Sequence, residues 1–87
     1  MRELLTEKFE QPTEVDSDDN MYWLNDLGQL HRDGDKPAII WADGGRRWYK
    51  NGELHRDGDK PAVISASGTK LWYKNGELQY TLFYRKI

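Results

Sequence analysis

A chain of 87 residues with a net charge of −2 and no cysteine is one small domain. It has little room for a deep catalytic cavity, and neither disulfides nor thiolate metal sites can brace it. No apolar run approaches the about 18 residues of a membrane helix, and the N-terminus lacks the basic-then-apolar pattern of a secretory signal, so a soluble, cytoplasmic protein is expected.

The charge is uneven along the chain. Residues 1–20 carry seven acidic and two basic side chains, a net of −5, and residues 21–87 carry a net of +3. Residues 1–20 are therefore expected to form an acidic arm, and residues 21–87 a mildly basic repeat domain. Within the arm, Leu4, Leu5 and Phe9 have the spacing of a short amphipathic helix over 2–9.

From Tyr22 onward the chain repeats. A partial unit over 22–29 leads into two full units, 30–53 and 54–77, which match at 18 of 24 positions; residues 78–87 are expected to cap the array. Each unit offers a short apolar strand entered through a proline (38–42 and 62–66), a tight turn, and a strand carrying Trp-Tyr (46–50 and 70–74). Asn51-Gly52 and Asn75-Gly76 then predict two-residue type I′ turns, because Asn and Gly accept the positive φ that both central positions need. Such a turn sets the register: Lys50 opposite Glu53, Tyr49 opposite Leu54, Trp48 opposite His55. The fold class is therefore all-β, with tandem hairpins forming an elongated antiparallel sheet. The Tyr49/Leu54 face is expected to look inward, as is the Ala38/Ile40/Ala42 face of the other strand. Trp72, as a repeated indole, is expected in the core.

The strings Leu-His-Arg-Asp-Gly-Asp-Lys-Pro-Ala and Trp-Tyr-Lys-Asn-Gly-Glu-Leu resemble the MORN-type variant repeats of bacterial and bacteriophage proteins, over about residues 22–80. The Asp-Lys inserted between Gly and Pro departs from that pattern. The resemblance implies a run of hairpins, and repeats of this kind serve as scaffolds for protein and lipid contacts. It further suggests a small phage-encoded modulator or inhibitor of a host or defence protein.

The residues argue for binding over catalysis. His31-Arg32-Asp33 and His55-Arg56-Asp57 echo a kinase catalytic loop without its companion motifs. Asp33-Gly34-Asp35 and Asp57-Gly58-Asp59 begin like a calcium loop but lack its closing glutamate, and turn formation accounts for them. His31 and His55 occupy equivalent places and could lie close enough to share a metal, but nothing else supplies a ligand set, so no metal and no cofactor is expected. Interleaved bases and aromatics raise single-stranded nucleic acid as an alternative ligand, and interleaved acids weigh against it. Carbohydrate or choline capture in aromatic clefts between Trp-Tyr hairpins ranks lower still. Self-association through open sheet edges is a third class.

The two units differ at few places, and those differences locate the candidate site. Trp41 stands where the sister unit has Ser65, and Asp43, Arg46 and Arg47 stand where it has Ser67, Lys70 and Leu71. An indole ringed by charges is the usual make-up of an interface centre and its rim. Trp41, Asp43, Arg46 and Arg47 are the expected partner-binding residues, with a protein as the partner.

Overall fold

The computed structural model describes residues 11–83; the helix expected over 2–9 lies outside them. Nine strands occur in chain order among the described residues: β1 (Glu14–Val15), β2 (Met21–Tyr22), β3 (Ile39–Ile40), β4 (Arg46–Arg47), β5 (Tyr49–Lys50), β6 (Glu53–Leu54), β7 (Val63–Ile64), β8 (Lys70–Lys74) and β9 (Glu77–Leu82). Seven form an antiparallel sheet in the order β1-β2-β3-β4-β7-β8-β9, and β5 and β6 form a separate hairpin. The described residues contain no helix, and the fold is all-β.

The hairpin turns follow the local chemistry. Asn51 and Gly52 have φ of 50° and 87°, and Asn75 and Gly76 have 50° and 82°, the two successive positive values of a type I′ turn. The register is the one this turn imposes: Tyr49 pairs with Leu54 and Lys50 with Glu53, then Tyr73 with Leu78 and Lys74 with Glu77. The other turn of each unit is a three-residue loop whose last residue, Gly44 or Gly68, sits at positive φ. Trp41 N–H donates to Gly45 O at 2.8 Å and Ser65 N–H to Thr69 O at 2.9 Å, closing these loops.

The array begins earlier than its most obvious repeats. β1 pairs with β2, Glu14 against Tyr22 and Val15 against Met21, so the sheet starts inside the segment expected to be an acidic arm. The loop between them is the same three-residue turn: Asp16 N–H donates to Asn20 O at 3.1 Å, with Asp19 at φ 68° in the place of Gly44 and Gly68. Pro12 to Trp23, Pro37 to Trp48 and Pro61 to Trp72 are therefore three copies of one hairpin. The first copy is disguised because Glu14 and Asp16 stand where the full units carry Ile39 and Trp41 or Val63 and Ser65. Its turn is held by Asp16, whose Oδ1 accepts the N–H groups of Asp18 and Asn20, both at 3.0 Å. These bonds, Asn20's first among them, hold the Asp16 carboxyl below its ordinary range.

Successive units are stapled through the His-Arg-Asp-Gly-Asp corner. The Arg56 guanidinium stacks 3.8 Å from the Trp48 ring centre, and Arg32 stacks on Trp23 at the same distance. Arg56 also donates to Pro61 O and, bidentately, to Asp35 of the preceding corner. The Trp48 indole N–H donates to Asp35 O, so this ring is held between two consecutive corners. His31 Nδ1 accepts the Asn51 N–H at 3.0 Å while Nε2 faces Asp33 at 2.9 Å; His55 repeats both contacts with Asn75 and Asp57. Each histidine thus caps the next hairpin turn, and its tautomer is set by accepting at Nδ1.

Among the described residues the buried apolar side chains are Trp23, Ala38, Ile39, Trp48, Ala62 and Val63, and Gly45 is buried as well. Two expectations about faces need correction. Ala38 is buried, but Ala42 and Ala66 are exposed and Ile40 and Ile64 only half-buried, while Ile39 and Val63 on the opposite face are covered. In the Trp-Tyr strand Trp48 is the core residue and Tyr49 is half-buried. Trp72 is half-buried too, because the array ends there. In the inner unit the seven residues 55–61 turn a corner over the tryptophan. At the end, Gln79 alone replaces them as a bulge, and β9 runs straight on beside β8. Tyr80 then packs edge-on against Trp72 at 5.1 Å between ring centres.

Candidate functional site: the Trp41 hollow

Trp41 closes the β3–β4 loop, and what surrounds it is specific to its unit. Its ring meets Tyr22 edge-on at 6.0 Å, and the Arg47 guanidinium lies 5.8 Å from the indole centre. Register places Tyr22, Ile39 and Arg47 in one row across β2, β3 and β4, and Trp41 follows Ile39 on the same face. A Cβ added to Gly45 would approach Trp41 Cδ1 to 3.0 Å. The indole is therefore accommodated by a glycine where the sister unit has Thr69: two of the differences between units are complementary. Trp41 is half-buried and held on several sides.

A hollow of about 230 Å³ opens beside the indole, lined in part by Trp41, Asp43, Arg46 and Arg47, with Ser65 and Ala66 of the next turn across from them. All four expected residues thus border one concavity, but their side chains do not converge. Arg46 and Arg47 are consecutive on β4 and point to opposite faces; the Arg46 guanidinium lies 5.9 Å from the ring centre of Trp48. Asp43 is spent on its own turn, its Oδ1 accepting the Gly45 N–H at 2.9 Å. The residues that share the Trp41 face and lie against its ring are Tyr22 and Arg47. Sequence reasoning missed Tyr22, which the shared spacing of eleven from proline to tryptophan would have aligned with Arg47 and Leu71.

The larger hollow, about 470 Å³, runs between the two corners and is bordered by His31, Asp35, Tyr49, His55, Arg56 and Lys60 among others. Asp35, Arg56, Asp57 and Lys60 among its charged groups already serve the fold. Arg56, first, and Lys60 hold the Asp35 carboxyl down to about 2, and the His55 hydrogen bond lowers Asp57. Both nitrogens of each histidine are engaged, and among the described residues no group of three or more His, Asp or Glu side chains is placed to hold a metal ion. Arg46 and Arg47 differ from these corner groups: among the described residues their guanidinium groups donate no hydrogen bond and form no ion pair, the Arg47 Nε being buried without a partner, and the rings of Trp48 and Trp41 lie 5.9 and 5.8 Å from them.

No helix among the described residues is long and apolar enough to cross a membrane. No protein-family model matches the chain significantly, and no curated protein or solved structure does so either.

Proposed function

We propose that the protein is a non-enzymatic binding module that holds a protein partner against the Trp41 face. The observation that carries this reading is the contrast between units. Arg56, Lys60 and Asp35 of the corners are consumed in stapling the array, whereas the unit-specific Arg47 is left with unspent donors beside a half-buried indole. A rigidly held tryptophan next to an arginine is the composition of an interface hot spot. The repeat's resemblance to bacterial and bacteriophage sequences supports a setting in which the partner is a host or defence protein and the module its modulator or inhibitor.

The test is capture from bacterial lysate with the parent chain and Trp41→Ala side by side, followed by titration of whatever the parent retains. The substitution should weaken binding by about 30-fold or more, equivalent to about 2 kcal/mol. It should cost only about 1 kcal/mol of stability, since the ring is partly exposed already. A partner held equally well by both chains would place the interface elsewhere. Retardation of DNA or RNA at physiological salt, with the steep salt slope of counterion release, would replace the protein partner by a nucleic acid.

A further inference from the structure

The two edges of the seven-stranded sheet are unlike. β1 has two residues, is entered through Pro12, and runs into Asp16, Asp18 and Asp19. Short length, proline and charge are the features that keep an edge from pairing with another chain. β9 is the longest strand, at six residues, and has none of these over 78–82. Its outer edge follows the bulge at Gln79 with Tyr80-Thr81-Leu82, and Leu78, Tyr80, Leu82 and Phe83 are 53%, 57%, 47% and 70% exposed. They are four of the six exposed large apolar side chains among the described residues.

Topology limits what can cover this edge. Every neighbouring pair in the sheet is antiparallel, and six such steps separate β1 from β9, so the two edges run in the same direction. Head-to-tail stacking of copies would set β9 parallel to β1 and break the antiparallel pattern. A two-fold axis beside β9 instead sets it antiparallel to itself.

We infer that β9 is a self-complementary dimer edge, pairing antiparallel with β9 of a second copy about a two-fold axis near Thr81. Tyr80 then lies opposite Leu82 of the partner subunit, on the face that carries Trp72, and this is an aromatic–aliphatic cross-strand pair made twice. The sheet continues through the axis into fourteen strands, and the contact is isologous, so assembly stops at two.

Because the chain has no cysteine, a single Thr81→Cys reports the contact without ambiguity. Two Cα atoms facing each other across antiparallel strands are about 5 Å apart, within disulfide reach. Sedimentation equilibrium of the full chain up to about 0.5 mM should show a monomer–dimer equilibrium with no higher species. Leu82→Lys should raise the dissociation constant at least about tenfold while leaving the circular dichroism unchanged, because Leu82 is exposed in the monomer. Mild oxidation should link Thr81→Cys into dimers and leave Val15→Cys monomeric. A chain that stays monomeric at the highest concentration overturns the inference. So does a dimer indifferent to Leu82→Lys, a dimer linked through position 15 and not 81, or an open-ended series of oligomers.

Discussion

Replacing Arg56 by alanine should remove more stability than any other surface charge in the protein. Its side chain is 14% exposed and makes four kinds of contact. Stacking on Trp48 at 3.8 Å is worth about 1 kcal/mol. The hydrogen bond to Pro61 O contributes about 1 kcal/mol. The pair with Asp35, whose carboxylate is 42% exposed, adds well under 1 kcal/mol after solvent screening. The methylene stem over the indole adds a further ~1 kcal/mol of apolar contact. The expected loss is about 3 kcal/mol, a large share of the 5–15 kcal/mol, roughly, that holds small domains folded. Urea unfolding followed by tryptophan fluorescence, with the slope checked for constancy, measures it. Arg56→Lys keeps the charge but loses the planar fork and the stack, so it should recover less than half of the deficit. If alanine costs under about 1 kcal/mol, or lysine restores full stability, the corner is not the staple between units.

The tryptophans should rank by their covers. Trp48→Ala, at a 5% exposed position between two corners, is expected to cost about 3–5 kcal/mol, and Trp72→Ala, half-buried at the end of the array, less; thermal unfolding of both decides the order. The Asp35 carboxyl, held to about 2 by Arg56 and Lys60 against an ordinary value of 3.8, stabilises the fold above pH ~4. A depressed folded value means that this contribution is lost as pH falls from about 4 through 2. Asp35→Asn should flatten the parent's loss of urea midpoint over that interval, and an unchanged pH profile would remove the ion pair from the account.

Much of the hairpin geometry was legible in the residues. Asn51-Gly52 and Asn75-Gly76 dictate type I′ turns, and a two-residue turn dictates the pairing of Tyr49 with Leu54 and Lys50 with Glu53, because both are local consequences of φ. The singularity of Trp41 was legible as well, since two near-identical units expose any departure. That Arg46 and Arg47 part to opposite faces follows from strand alternation once β4 is known to be a strand.

Tertiary structure decided the rest. Alternation assigns side chains to two faces but does not say which face is covered. Here the cover comes from corners distant in sequence: Arg56 and Asp35 close over Trp48, and Trp41, packed against Gly45 and Tyr22, lies on the face of buried Ile39. The first hairpin escaped recognition because Asp16 stands where the full units have Trp41 and Ser65, although its Oδ1 accepts the Asn20 N–H as Ser65 Oγ accepts that of Thr69, and geometry, not residue type, is what repeats. The end of the array was likewise set by space. With Gln79 in place of a seven-residue corner, Tyr80 packs against Trp72, and β9 stays beside β8 with its outer edge open.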